Sequence, residues 1–344
     1  MRGMRMAKAT AVLRGRGRTV GAVAGLAGTT ALAAAWVAQH RRVGRALEAA
    51  DGADEGLVIP ADVTEHEITT DDGAVLHVVE RGEGPPLLLL HGLLSASGIW
   101  VHQLTDLADR HRVVAVDLRG HGRSSVGADG TGVVRMAQDA RQVMEELDLR
   151  RALVVGHSMG GMVALRLVHD LPAAERRRRV DGLAVVSSAA GPFLSAPGST
   201  TASRVVLPAW SQMVLAADRV GMWTRPARDV RWWATRLSFG AEADPAQVRF
   251  TEELSRPVSA ATFTGLLPDL VSFDLSGGLA DIEVPVLVVV GSRDRLTPPR
   301  HARRMAGALP QAQLVELPRC GHTPMLERRH EFSRLLDEFA AKLA

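Results

Sequence analysis

The amino-acid sequence predicts an α/β fold, a doubly wound, mostly parallel sheet that carries a helical insertion. Three observations predict it. Short apolar, β-rich runs recur at Leu87–Leu90, Arg112–Val116, Ala152–Val155, Leu183–Val186 and Val286–Val290. They are nearly continuous rather than alternating, as strands buried on both faces of a parallel sheet must be. Stretches with helical apolar spacing separate them, so strand and helix alternate and the crossovers wind right-handedly. The third observation is a gap. From about Pro192 to Asp274 no strand pattern occurs.

In chain order, the first element is a tail. The 344 residues carry 41 Lys+Arg against 38 Asp+Glu, a formal charge of +3. Residues 1–50 hold nine basic residues and one acidic residue, Glu48, for +8, which leaves −5 for the rest. The basic character thus belongs to the tail, and a nucleic-acid-binding globular body is not expected. From Thr19 to His40 no residue is formally charged. About 20 such residues span a bilayer as a helix, and the heavier basic flank would face the cytoplasm, with the body outside it. The leading reading of residues 19–40 is therefore a membrane anchor. A cleaved signal peptide ending near Ala33-Ala34-Ala35, which would leave the body secreted, and a disordered or surface-lying Ala-rich helix on a cytoplasmic protein stay open beside it.

The body begins near Glu65. Residues 67–70 and 74–80 read as a hairpin turned by Asp71-Asp72-Gly73, and Pro85-Pro86 launches the run Leu87–Leu90. Helical stretches are expected near 97–109, 131–148, 159–171, 298–308 and 324–342. Residues 65–191 and 275–344 form the core, and 192–274 a helical insertion interrupted at Pro208, Pro226, Pro245, Pro257 and Pro268. Some 80 residues are too many for a structureless loop in a compact domain. Hydrophobic residues make up 46% of the chain, enough for a substantial core, and the one cysteine, Cys320, excludes an internal disulfide or a Cys-based metal cage. The four arginines Arg176–Arg179 read as a solvated loop.

The chemistry concentrates in Gly156-His157-Ser158-Met159-Gly160, where the run ALVV ends and a helix begins. A G-x-S-x-G turn is so tight that its flanks need glycine, and it lifts the serine hydroxyl clear of the sheet. Ser158 is the candidate nucleophile. A hydroxyl needs a base to take its proton, and the base needs an orienting partner. On such a fold the order is serine, acid, histidine. Asp294 follows Val286–Val290, and His322 follows the short strand QLVEL, so both emerge at carboxyl ends of strands, as Ser158 does. Asp281 precedes its strand and lies at the wrong end. His157 and His91 read as structural, His301 as part of a solvated helix face with Arg303 and Arg304, and His121 belongs to an upstream loop. The backbone N–H of Met159, together with that of Leu93 in the His91-Gly92-Leu93 turn, is the candidate pair of donors for a developing oxyanion.

HGLLSASGIW, VVAVDLRGHGRSS, VVGHSMGG, VPVLVVVGSRDRLTP and PRCGHTPMLE, in this order and spacing, resemble the recurring blocks of the α/β-hydrolase superfamily across roughly residues 65–342. That resemblance implies a serine esterase- or lipase-like enzyme working through an acyl-enzyme. It also implies a cap formed by 192–274 over the pocket and structural roles for Asp117 and the turn Arg119–Ser124. The Trp, Leu, Val and Met content of the insertion points to an apolar small-molecule ester as substrate. No cofactor and no metal are expected, because HExxH, a P-loop and a dinucleotide fingerprint are absent from the sequence. A cofactor-free perhydrolase or haloperoxidase with the same three residues, and a non-catalytic binding protein on the same fold, are the alternatives. Oligomeric state is not legible.

Overall fold

The computed structural model describes residues 56–191 and 235–343, with a few positions between 211 and 232. Segment 19–40, and with it the expected membrane anchor or signal peptide, lies outside the described residues, as does most of 192–234. The described residues fall in the unit Ala50–Ala344. Among them, no helix is long and apolar enough to cross a membrane.

Eight strands form one sheet: β1 (Thr64–Thr69), β2 (Val75–Arg81), β3 (Pro86–Leu90), β4 (Arg112–Val116), β5 (Ala152–His157), β6 (Val180–Val186), β7 (Val286–Gly291) and β8 (Ala312–Leu317). Their order is β1-β2-β4-β3-β5-β6-β7-β8. β2 pairs antiparallel with β1 and β4, and all other pairings are parallel. β5 and β7 are buried end to end and β3 from Leu87 onward, which is why their sequences read as unbroken apolar runs. β1, at the edge, buries only Ile68 fully.

The α-helices whose bounds fall within the described residues are α1 (Val101–Asp106), α2 (Val133–Glu146), α3 (Met159–Asp170), α4 (Ala173–Arg179), α5 (Pro245–Ser255), α6 (Ala260–Ser272), α7 (Pro299–Ala308), α8 (Pro324–Glu327) and α9 (Arg329–Ala341). Their positions follow the apolar spacing, with local differences. The stretch expected at 97–109 divides into a 3-10 turn, Ser97–Trp100, and the short α1. The last helix breaks at Arg328, whose ψ of 42° leaves the helical region. In the insertion, Pro245 opens α5 behind the capping Asp244, whereas Pro268 sits inside α6 without ending it.

The arginine run is a correction. Residues 173–179 are helical, and Arg179 is buried. Its guanidinium donates to the carbonyls of Met144 (2.8 Å) and Leu149 (3.1 Å), capping the C-terminal end of α2. The carbonyls exposed there need donors, and a guanidinium supplies two in one plane.

The chain turns from β3 outward to β4 and then crosses back, through α2, to β5 on the other side of β3. The winding therefore reverses between β3 and β5, and open α/β sheets bind ligands outside the carboxyl ends at such a switch point. Leu90 pairs with Gly156 in register, so the turn after β3 and the serine after β5 emerge side by side.

Candidate active site

Ser158 lies between β5 and α3 with φ 52° and ψ −115°, a conformation that L-residues rarely adopt. Strain of this kind costs about 1–3 kcal/mol and persists where the surroundings over-determine it. Here they do. A side chain at Gly156 would meet Gly160 O at 2.2 Å, and one at Gly160 would meet Leu90 O at 2.2 Å. The elbow is also held by Ser158 N–H donating to Val186 O (2.9 Å) and by the Ser188 hydroxyl donating to Ser158 O (2.6 Å). Ser158 itself is half-buried, at the positive end of the 12-residue α3. As the first residue of that helix, Met159 has an N–H with no intrahelical acceptor.

The turn after β3 packs onto the elbow. A side chain at Gly92 would lie 3.0 Å from His157 Nδ1 and 3.1 Å from Ser158 Cβ. His91 is buried, and its tautomer is readable from its partners. Nε2 accepts from Leu118 N–H (2.9 Å), so Nδ1 carries the proton and donates to Gly92 O (2.7 Å). The Gly92 carbonyl is thereby turned back toward His91, and in a trans peptide the Leu93 N–H points the other way. Asp117 fixes the far end of this loop by accepting from Ser97 N–H at 2.6 Å, and it also bonds His77 Nδ1 (3.0 Å) and Arg123 N–H (2.9 Å). Burial opposes its ionisation, but these donors hold its carboxyl well below the usual range.

Asp294 and His322, both buried, meet directly, with Nδ1 to Oδ2 at 2.8 Å. Oδ1 of Asp294 accepts from the N–H groups of Leu296 and Thr297, both at 2.9 Å, and Oδ2 also accepts from the Thr297 hydroxyl at 2.7 Å. Burial of the carboxylate works against its charge. The bond from His322, the electrostatic pull of its imidazole and the Thr297 donors outweigh burial and lower the pKa. With the proton of His322 held on Nδ1, its lone pair remains on Nε2.

The histidine and the serine are joined through His157. Its Nε2–H donates to the His322 carbonyl at 2.8 Å, and the two rings lie 4.8 Å apart. His157 is thus structural, as its place in the sequence suggests, and burial lowers its pKa to about 3, so it stays neutral. Sequence reasoning missed Thr297, Ser188 and Ser238. The spacing Asp294-x-x-Thr297 was the available signal for the first, since Asp followed by Thr three residues later closes a turn on itself. Among the described residues, no cluster of His, Cys, Asp and Glu has the geometry of a metal site.

Residues 85–329 match the family described as alpha/beta hydrolase fold, and the chain belongs to that family. It is 28% identical over 288 residues to the AB hydrolase superfamily protein YisY of Bacillus subtilis, covering 80% of this chain and 98% of that protein. It is 31% identical over 271 residues to a pimeloyl-[acyl-carrier protein] methyl ester esterase of Nitrosomonas europaea, covering 77% and 99%. Among solved structures, a thermophilic esterase from Thermogutta terrifontis superposes with a TM-score of 0.67 at 26% identity, covering 82% of this chain and 99% of that one.

Proposed function

We propose that this α/β hydrolase cleaves a carboxylic ester of an apolar small molecule through an acyl-enzyme. The observation that carries the reading is the pairing of a strained serine at a helix N-terminus with a buried Asp294–His322 couple, tied to it through His157. His322 Nε2 takes the proton of Ser158 Oγ as the oxygen attacks the acyl carbon. Asp294 keeps the proton on Nδ1 and stabilises the imidazolium that forms. The N–H groups of Leu93 and Met159 receive the charge that builds on the carbonyl oxygen. The imidazolium then protonates the departing alcohol, and water activated by the same Nε2 releases the acid. Residues 192–274, with α5 and α6 at their end, form the cap over the pocket in this reading. The esterases among the relatives support the reaction class.

The test is covalent labelling of the full chain by a fluorophosphonate, with turnover of a p-nitrophenyl ester series alongside. Wild type is expected to label stoichiometrically, and Ser158→Ala to neither label nor turn over. Labelling that survives Ser158→Ala would sink the assignment of the nucleophile. A folded wild type that neither labels nor turns over would favour a binding role.

A further inference from the structure

The loop that carries His322 is held by a carboxylate to which the reaction gives no role. Glu327 is the last residue of α8, five positions after His322. Its Oε2 accepts from Gly240 N–H at 2.7 Å and from Gly321 N–H at 3.1 Å. Its Oε1 accepts from Gly321 N–H (3.0 Å), Thr323 N–H (3.3 Å) and the Thr323 hydroxyl (3.1 Å), with the Cys320 thiol at 3.9 Å. The donors therefore come from both neighbours of His322 and from a separate segment, 238–240. That segment also holds the histidine itself, because Ser238 O accepts from His322 N–H at 2.6 Å.

Main-chain packing points the same way. A side chain at Gly291, at the end of β7, would meet Gly321 O at 2.0 Å, and one at Gly321 would meet Gly240 N at 2.4 Å. The end of β7, the histidine loop and segment 238–240 are thus stacked backbone on backbone. Asp294 is set by the first of these and His322 by the second. Apart from its contacts with Asp294 and the Thr297 hydroxyl (3.2 Å), the imidazole's position depends on what clamps the loop to its neighbours, and among the described residues Glu327 is the one side chain that bonds both sides of the histidine and segment 238–240 together.

We infer that Glu327 is a positioning residue for the general base. Resting on the ester-hydrolase reading above, it holds the backbone of residues 320–323 against segment 238–240, and so keeps the His322 imidazole in line between Asp294 and Ser158. It touches neither substrate nor reacting atoms. A displacement of about 1 Å at a base costs on the order of 100-fold in rate, so loss of this clamp is read in kcat rather than in KM.

The experiment uses the full chain as wild type, Glu327→Ala and Glu327→Gln. It measures endpoint fluorophosphonate stoichiometry, the labelling rate constant, and kcat and KM per labelled site. In Glu327→Ala the stoichiometry is expected to hold, while labelling rate and kcat fall roughly 10- to 100-fold and KM moves less than about threefold. Glu327→Gln keeps a carbonyl for the Gly321 and Thr323 donors but sets an amide N–H against Gly240 N–H, so its loss is intermediate. A kcat per labelled site equal to wild type in either folded variant, or an effect confined to KM or to the labelled fraction, overturns the proposal. Should Glu327→Ala not fold, the Gln variant decides. The far-downfield proton signal of His322 Nδ1–H bonded to Asp294 gives a readout independent of turnover. It is expected to broaden or vanish in the variants, and its retention unchanged counts against the clamp. A folded wild type that is not labelled would instead defeat the hydrolase reading, and the proton signal would still judge the clamp.

Discussion

Asp294 accepts four hydrogen bonds on two oxygens, and their distribution determines what an amide would do in its place. Oδ1 faces two backbone N–H groups and must stay an oxygen, so in Asp294→Asn the NH2 takes the position facing His322 Nδ1. Two donors then oppose each other, and the imidazole relieves the conflict by moving its proton to Nε2. That tautomer offers Ser158 no lone pair. The variant is expected to fold and to lose roughly 10³–10⁴-fold in kcat/KM on a p-nitrophenyl ester, the loss typical of a wrong tautomer at such a site. Active-site titration beside the kinetics checks it, and retention of more than about a tenth of the activity would contradict the role given to Asp294.

Elements are joined by charge as well as by apolar contact. Arg119, fully buried on the loop after β4, donates from Nε and Nη2 to Asp139 of α2, both at 2.8 Å. Nη1 and Nη2 of the same guanidinium reach Asp72 in the β1–β2 turn, at 2.6 and 2.8 Å. One side chain therefore locks the edge hairpin, the loop after β4 and a core helix to each other. Arg119→Met removes the cation and leaves Asp139 buried beside a thioether. Breaking a buried pair from one side costs about 3–5 kcal/mol, and chemical denaturation should register a loss of that order. A change below about 1 kcal/mol would contradict that role and assign the two carboxylates to Arg135, whose guanidinium lies 3.2 Å from Asp72 and 3.4 Å from Asp139.

The sequence carried the strands well because burial on both faces leaves little room for polar residues, as in Val286–Val290. It carried the three residues of the proposed site because each follows a strand at its carboxyl end, Ser158 and Asp294 after fully buried runs and His322 after the half-buried β8. Strand order was not legible, since nothing in a run of valines says whether the next strand lies to its left or right. Nor was the fate of Arg179, whose neighbours Arg177 and Arg178 are exposed while it turns inward to a helix end. The role of Glu327 was equally hidden, because its partners at Gly240 and Gly321 are backbone groups with no side chain to read.

Taken over the whole molecule, the buried histidines set how stability depends on pH. Burial lowers His157 and His121 to about 3 and also depresses His91, so all three are neutral in the folded protein near neutral pH. In the unfolded chain they take up protons near the ordinary value of about 6.5. Below that pH the unfolded state binds protons that the folded state refuses, so stability falls as pH drops from about 6.5 toward 3. His157 and His121 each contribute about 1.4 kcal/mol per pH unit across that window, and His91 adds in the same direction. Denaturant midpoints at pH 7 and pH 5 should differ clearly, and equal midpoints would contradict this account. Asp294 and Asp117, whose pKa values are lowered, add their loss only at pH values below about 4, where the unfolded carboxyls begin to protonate.

The glycines that stack main chain on main chain have a consequence for how such a protein can diverge. At Gly160, Gly291 and Gly321 every side chain meets backbone within 2.4 Å, whereas Gly277 and Gly307 have nothing within 4 Å. The frame that presents serine, acid and histidine is thus written in positions that admit a single residue type. A lineage built this way can drift at open positions such as Gly277 and Gly307, while the handful of backbone contacts that hold the proposed site stays fixed.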